Sequence, residues 1–226
     1  MNGLKKNIII LILVTFIAGC SSNYRTGNIT EGKKAAGTVK IDAEAYLFDA
    51  KIRREGKVNS FRLEIFQTDS LLGLGGRAYL GKGALKGRLS ADSLWLYFPA
   101  QKEYVRDAAA VFFKGQKCPL ALTGVNILDI FKERPDSIAL EEGIKVTADL
   151  YDEERPHFRI TSADCPWQID LIYDLKETGW RIKEFTFSDG EKLKIEATCR
   201  EYKATARVKP EKFQVVIPPA SIRIEL

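Results

Sequence analysis

Several features are scarce in this sequence. One histidine occurs among 226 residues, and the single methionine is residue 1. A lone histidine excludes the paired-histidine zinc motif of metalloproteases, and no Gly-x-Ser-x-Gly elbow is present for a nucleophilic serine. His157 itself lies in Glu153-Glu154-Arg155-Pro156-His157, which reads as a solvated turn. Gly73-Leu74-Gly75-Gly76 lies between two strand patterns rather than before a helix, so it is not a phosphate loop. The acidic run from Asp149 to Glu154 lacks calcium-loop spacing. Long apolar runs are also missing. The longest extends from Ile8 to Ile17, broken only by Thr15, well below the roughly 20 residues a membrane-spanning helix needs. Nor is one charge dominant: 35 basic and 30 acidic residues are interspersed along the chain, leaving no basic patch for nucleic acid. The expectation is a chain without catalytic, metal-binding or nucleic-acid-binding machinery.

What is present begins at the N-terminus. Lys5 and Lys6 precede the short apolar run, and Ile17-Ala18-Gly19-Cys20-Ser21-Ser22 follows it. A basic start, a short apolar segment and small residues form a secretory signal. The last four residues before Ser21 resemble the bacterial lipobox, in which the cysteine thiol takes a diacylglycerol and its amino group an acyl chain such as palmitate. That resemblance implies a signal peptide over 1–19 and a lipidated Cys20, with no cofactor beyond this covalent lipid. Two or more acyl chains make membrane attachment stable. Ser21, where an aspartate would retain the protein at the inner membrane, points to the periplasmic face of the outer membrane. Loss of Lys5 and Lys6 lowers the formal charge from +5 to +3. The polar, Gly- and Lys-containing stretch that follows makes 20–36 a tether, with the folded domain over 37–226.

Three cysteines remain in that domain, Cys118, Cys165 and Cys199. An oxidising compartment permits one disulfide, and Cys118 with Cys165 is the expected pair because each precedes a proline in a connecting region. The alternative is three reduced thiols buried as small apolar residues.

From Val39 onward the hydrophobic pattern has period two. Phe61, Leu63 and Ile65 alternate with Arg62 and Glu64; Trp180 and Ile182 with Arg181 and Lys183; Leu193, Ile195 and Ala197 with Lys194 and Glu196. Such alternation gives a sheet with one dry and one wet face. Turn signals at Glu55-Gly56, Gly81-Lys82-Gly83, Lys176 to Gly179 and Asp189-Gly190 separate about ten or eleven strands, joined mainly by hairpins. The pattern changes once. Leu120, Gly124, Ile127, Leu128 and Phe131 recur near helical spacing after Pro119, and Asp136 is placed to cap a further short helix ending at Gly143. The predicted fold is therefore mainly β, of α+β type: a large curved antiparallel sheet or incomplete β-barrel with a mid-chain helical lid.

The order of these segments resembles the LolA/LolB lipoprotein-sorting superfamily. The resemblance rests on Phe61 to Ile65 followed by Ser70-Leu71-Leu72-Gly73, on Ala91 to Pro99 around an aromatic strand, on the helix with Ile127 to Phe131, and on the ending Phe213 to Pro218 as a closing strand and proline. It implies an acyl-chain carrier or receptor acting in lipoprotein or lipid localisation, with the membrane, acyl chains and a periplasmic carrier protein as partners. The candidate cavity lining is Phe61, Leu63, Ile65, Leu94, Leu96, Phe98, Trp180, Ile182, Phe185 and Phe187; the alternative is that these fill a core. Leu71, Leu72 and Leu74 correspond to the protruding membrane-contact loop of LolB, or else belong to a plain strand whose glycines permit a bulge. A competing class is a structural or assembly lipoprotein that binds a protein partner through a sheet edge or face.

Overall fold

A computed structural model describes residues 40–54, 56–78, 83–109, 122–190 and 193–224. The signal, the tether with Cys20, and Cys118 with Pro119 lie outside the described residues. Twelve strands form one sheet in the order β12-β6-β5-β4-β3-β2-β1-β11-β10-β9-β8-β7. In chain order these are β1 (Ile41–Arg54), β2 (Lys57–Gln67), β3 (Leu71–Ala78), β4 (Gly83–Ser90), β5 (Ser93–Phe98), β6 (Glu103–Ala108), β7 (Ile144–Asp149), β8 (His157–Ser162), β9 (Gln168–Lys176), β10 (Gly179–Ser188), β11 (Leu193–Val208) and β12 (Ile222–Arg223). Pairing is antiparallel except between β12 and β6.

The chain steps outward from β1 to β6, then resumes at β7 on the opposite edge and steps back until β11 pairs with β1. The segment between β6 and β7 must therefore cross a face of the sheet. It contains one described helix, α1 (Gly124–Ile130). Its start differs from the expectation that the helix runs on from Pro119. Thr123 is the N-cap: its hydroxyl accepts from the Asn126 amide, and Asn126 Oδ1 accepts from the Thr123 amide. This reciprocal pair fixes the first turn at Gly124. Gly124 is required there, because a Cβ would stand 2.3 Å from the Ser90 carbonyl in the β4–β5 turn. Thr123→Ala is expected to cost about 1 kcal/mol, read as a lowering of Tm by a few degrees in thermal denaturation. The second helix expected from Asp136 to Gly143 is only a 3-10 turn, Pro135–Ser137, capped by Arg134 without a side-chain bond. Asp136 sits inside it, pairing with Arg134.

The register shows which side chains share a face. Tyr46, Phe48 and Ala50 of β1 stand opposite Ile65, Leu63 and Phe61 of β2, and opposite Tyr202, Cys199 and Ala197 of β11. Together with Leu72, Leu89, Leu94, Phe158, Ile160, Ile169, Leu171 and Tyr173 they form the main core, into which Leu122, Leu128 and Ile130 of the insert pack. α1 therefore covers this face, and the sheet curves round it. Carbonyls within one turn of the helix, a rise of about 5 Å, are held by side chains from β1, β2 and β9. Strands β2 and β9 would be about 19 Å apart in a flat sheet.

The C-terminal segment is not a closing strand. A 3-10 turn, Pro210–Phe213, sets Phe213 on the convex side against Ala43 and Val208. Proline at its start and a lack of ladder partners account for the difference. Gly73 makes this docking possible, since a Cβ there would meet the Lys212 carbonyl at 2.3 Å. The chain then runs to β12 at the β6 edge.

Candidate functional site, the concave face and its helical cover

All the side chains nominated as cavity lining fall on the concave face. Phe61 to Ile65 share it by pairing with β1, and Leu94, Leu96 and Phe98 continue it through β4. Trp180 and Ile182 join Phe185 and Phe187 because a bulge between Ile182 and Glu184 restores the parity. They are not equivalent. Ile65, Leu94, Phe98 and Ile182 are buried core, Phe98 in a separate cluster with Val105. Phe61, Leu63, Leu96, Trp180, Phe185 and Phe187 are half-buried. One rung of the ladder reads Phe61, Ala50, Ala197, Phe185 across four strands. Two alanines between two phenylalanines make a trough in the sheet surface, and both alanines are covered.

The cover is held by polar groups that the sequence pattern had not singled out. A helix leaves its last four carbonyls without intrahelical partners, and here the sheet supplies donors to two of them and to the carbonyl of Phe131, the residue that ends the helix. Gln67 Nε2 donates to the Leu128 carbonyl at 3.0 Å, and the Tyr173 hydroxyl to that of Ile130 at 2.8 Å. The Tyr46 hydroxyl divides its single proton between Glu44 Oε2 at 2.9 Å and the Phe131 carbonyl at 3.2 Å. Asp129 is bonded by the amides of Lys132 and Glu133. Burial raises the pKa of Tyr46, with the Glu44 charge as the next cause; burial also raises that of Tyr173, with Asp136 contributing. Both hydroxyls therefore stay protonated as donors.

Behind Tyr46 lies a buried arginine. Arg181 is 7 % exposed and donates to Glu44 Oε1 at 2.7 Å, to the Tyr202 hydroxyl at 2.7 Å, and to the carbonyls of Trp180 and Thr178. The alternation marked it as a wet-face residue. It is buried because β10 pairs with β11 only from Glu184 to Ser188 among the described residues, and Arg181 occupies the gap beyond. Its partner Glu44 is 137 residues away in sequence, so no local signal could reveal the pair.

The proposed membrane loop is corrected by the structure. Leu71, Leu72 and Leu74 belong to β3, the strand alternative, with a register shift between Gly76 and Arg77. Leu72 is 2 % exposed in the main core, Leu74 packs beside it, and Leu71 lies with Phe213 on the convex side. None can protrude from a strand paired on both sides.

Cys165 is disulfide-bonded, with its partner outside the described residues. Cys199 is a buried free thiol whose Sγ donates to the Glu201 carbonyl; burial raises its pKa. His157 contacts Asp170 at 3.0 Å, beside Arg159. No group of three metal-ligating side chains gathers among the described residues. None of the helices among them is long and apolar enough to cross a membrane. Two open depressions have mixed linings. One of about 250 Å³ lies between Glu44, Gln67, Asp69 and Lys132, and the other, of about 520 Å³, beside Trp95 and Arg106. Neither is an enclosed apolar cavity.

No family model matches the chain, and no curated protein matches it in sequence. Solved structures do. A DUF1329 family protein from Desulfovibrio piger is 10 % identical with a TM-score of 0.46, the match covering 76 % of this chain and 89 % of that one. A structure described as an outer membrane lipoprotein-sorting protein domain, from Vibrio parahaemolyticus, is 9 % identical with a TM-score of 0.36, covering 71 % and 84 %. A LolA superfamily protein from Nitrosomonas europaea is 8 % identical with a TM-score of 0.38, covering 77 % and 90 %.

Proposed function

We propose that this chain is a periplasmic lipoprotein, anchored through Cys20 to the outer membrane, that takes acyl chains of lipoproteins or lipids onto its concave face and acts in their localisation without catalysis. The observation that carries the reading is the trough of Ala50 and Ala197 between Phe61 and Phe185, flanked along their strands by half-buried Leu63 and Phe187, on the face into which the helical insert packs. Apolar walls hold hydrocarbon by removing it from water and need no hydrogen bonds to do so. Ala50 and Ala197 are covered, so an acyl chain would take up space that neighbouring side chains now occupy. Opening would break the bonds to Leu128, Ile130 and Phe131 in a localised set. A Cys118–Cys165 disulfide would keep one side of the insert tied to the β8–β9 turn while the other moves. A periplasmic carrier would supply the cargo.

Mass spectrometry of lipids extracted from the purified domain, 21–226, tests this. Alkyl-chain lipids are expected in near-stoichiometric amount, reduced when Ala197→Leu fills the trough. Recovery of no lipid, with added fatty acid failing to bind, would end the proposal. A second reading, an assembly lipoprotein that binds a partner strand, draws on the β11 edge, which beyond Thr198 has no β10 partner among the described residues. In that case the domain would retain a protein partner but no lipid.

A further inference from the structure

The face turned away from the helix has an uneven charge pattern. On the wing from β3 to β6, the convex positions read Lys86, Tyr97, Tyr104 along one rung and Arg88, Trp95, Arg106 along the next, with Arg223 of β12 beside Tyr104. Arg77 of β3 has the same parity. The strand residues facing out here include five cations and no acid; Arg77 and Arg223 are paired with Glu64 and Asp107, which leaves Lys86, Arg88 and Arg106 outside any ion pair among the described residues. The nearer carboxylates are engaged: Asp92 accepts from the Ser90 hydroxyl at 2.7 Å, Asp107 from Arg223 at 3.0 Å, and Glu64 of β2 stands 3.7 Å from Arg77. The other wing mixes signs, with Arg159 against Asp170 and Lys194 against Glu196. The guanidinium of Arg106 lies 4.2 Å over the Trp95 ring. The C-terminal segment that runs from the Phe213 site to the β6 edge adds an exposed apolar residue, Val216 at 71 %.

We infer that this convex wing is a docking face for an anionic phospholipid surface, distinct from the concave face. Cations spaced along two rungs meet lipid phosphates, while Trp95 and Val216 enter the interfacial layer. Tryptophan favours that layer, and basic residues near an anionic leaflet add attraction that salt screens. The inference rests on the anchor reading only for proximity to a bilayer. Docking by this wing would hold the sheet convex side down and leave the helical cover facing the aqueous side, where a carrier could reach it.

The test uses the full-length protein as isolated, mixed with vesicles of phosphatidylcholine alone or with phosphatidylglycerol, each containing brominated lipid that quenches tryptophan on contact. The expected result is quenching only in the anionic vesicles, lost in Trp95→Phe and on raising salt. Lys86→Gln with Arg106→Gln should weaken docking by roughly 25-fold, from about fivefold per basic residue. Co-sedimentation separates the two readings. Sedimentation with both vesicle types but no Trp95 quenching leaves the anchor standing and overturns the docking face. Sedimentation with anionic vesicles alone, with Trp95 quenched, supports the face and fails the anchor. Equal quenching in both compositions overturns the inference, since the contact would not be directed by charge.

Discussion

Leu72→Glu should leave no folded protein. Leu72 lies within β3, is 2 % exposed, and is paired with Gln67 on one side and Leu89 on the other. Removing a buried leucine costs about 2–5 kcal/mol through lost packing, and an unpaired carboxylate in the same place adds several kcal/mol. A domain of this kind is stable by only about 5–15 kcal/mol in all. Val216→Glu is the matched control, because Val216 is exposed on the C-terminal segment and a surface change of this sort shifts stability by about half a kcal/mol or less. Circular dichroism on heating decides the matter. A Leu72→Glu protein that melts within a few degrees of the parent would show that this leucine is not in the core and would restore the protruding loop. The contrast separates an apolar residue that is conspicuous in sequence from one that is accessible in the structure.

That contrast explains which parts of the molecule could be read in advance. Period-two alternation is a local property, so the strands around Phe61 to Ile65 and Leu193 to Ala197 were legible, and with them the concave face. Trp180 and Phe185 differ in parity, and only the bulge between Ile182 and Glu184 places them together. Helical spacing marked the insert but not its true start, which depends on the Thr123–Asn126 pair rather than on a proline. Glycine-rich β3 read equally well as loop or strand, because its glycines answer to partners distant in sequence, such as Lys212 over Gly73. Hardest of all were Tyr46, Gln67, Tyr173 and Arg181. Each sits in an ordinary strand pattern, and its role appears only when a carbonyl or carboxylate from another element arrives beside it. The phenylalanines of the candidate site were visible, whereas the polar groups that hold its cover were not.

Those polar groups predict a marked loss of stability in alkali. Tyr46 and Tyr173 have pKa values raised above the ordinary value near 10, chiefly by burial. A raised folded-state pKa means that the folded protein retains a proton which the unfolded chain releases. Their contribution is therefore complete below pH 10 and is lost as pH climbs toward the folded values. Each such tyrosine makes the unfolding free energy fall by about 1.4 kcal/mol per pH unit in that window, about 2.7 kcal/mol for the pair. Urea denaturation at several pH values above 10 should show this slope, and Tyr46→Phe and Tyr173→Phe should each reduce it by half. The phenylalanine variants carry a cost of their own at neutral pH. Tyr173 is fully buried, and without its hydroxyl the Ile130 carbonyl has lost its donor in the core, at about 1–3 kcal/mol. If the helical cover is what opens to admit a chain, that loss falls on the closed form alone, so Tyr173→Phe should accelerate hydrogen exchange in Gly124–Ile130 more than in β1 or β11. Exchange that rises equally in all three would mean that the cover and the sheet unfold as one unit, and that no separate opening exists.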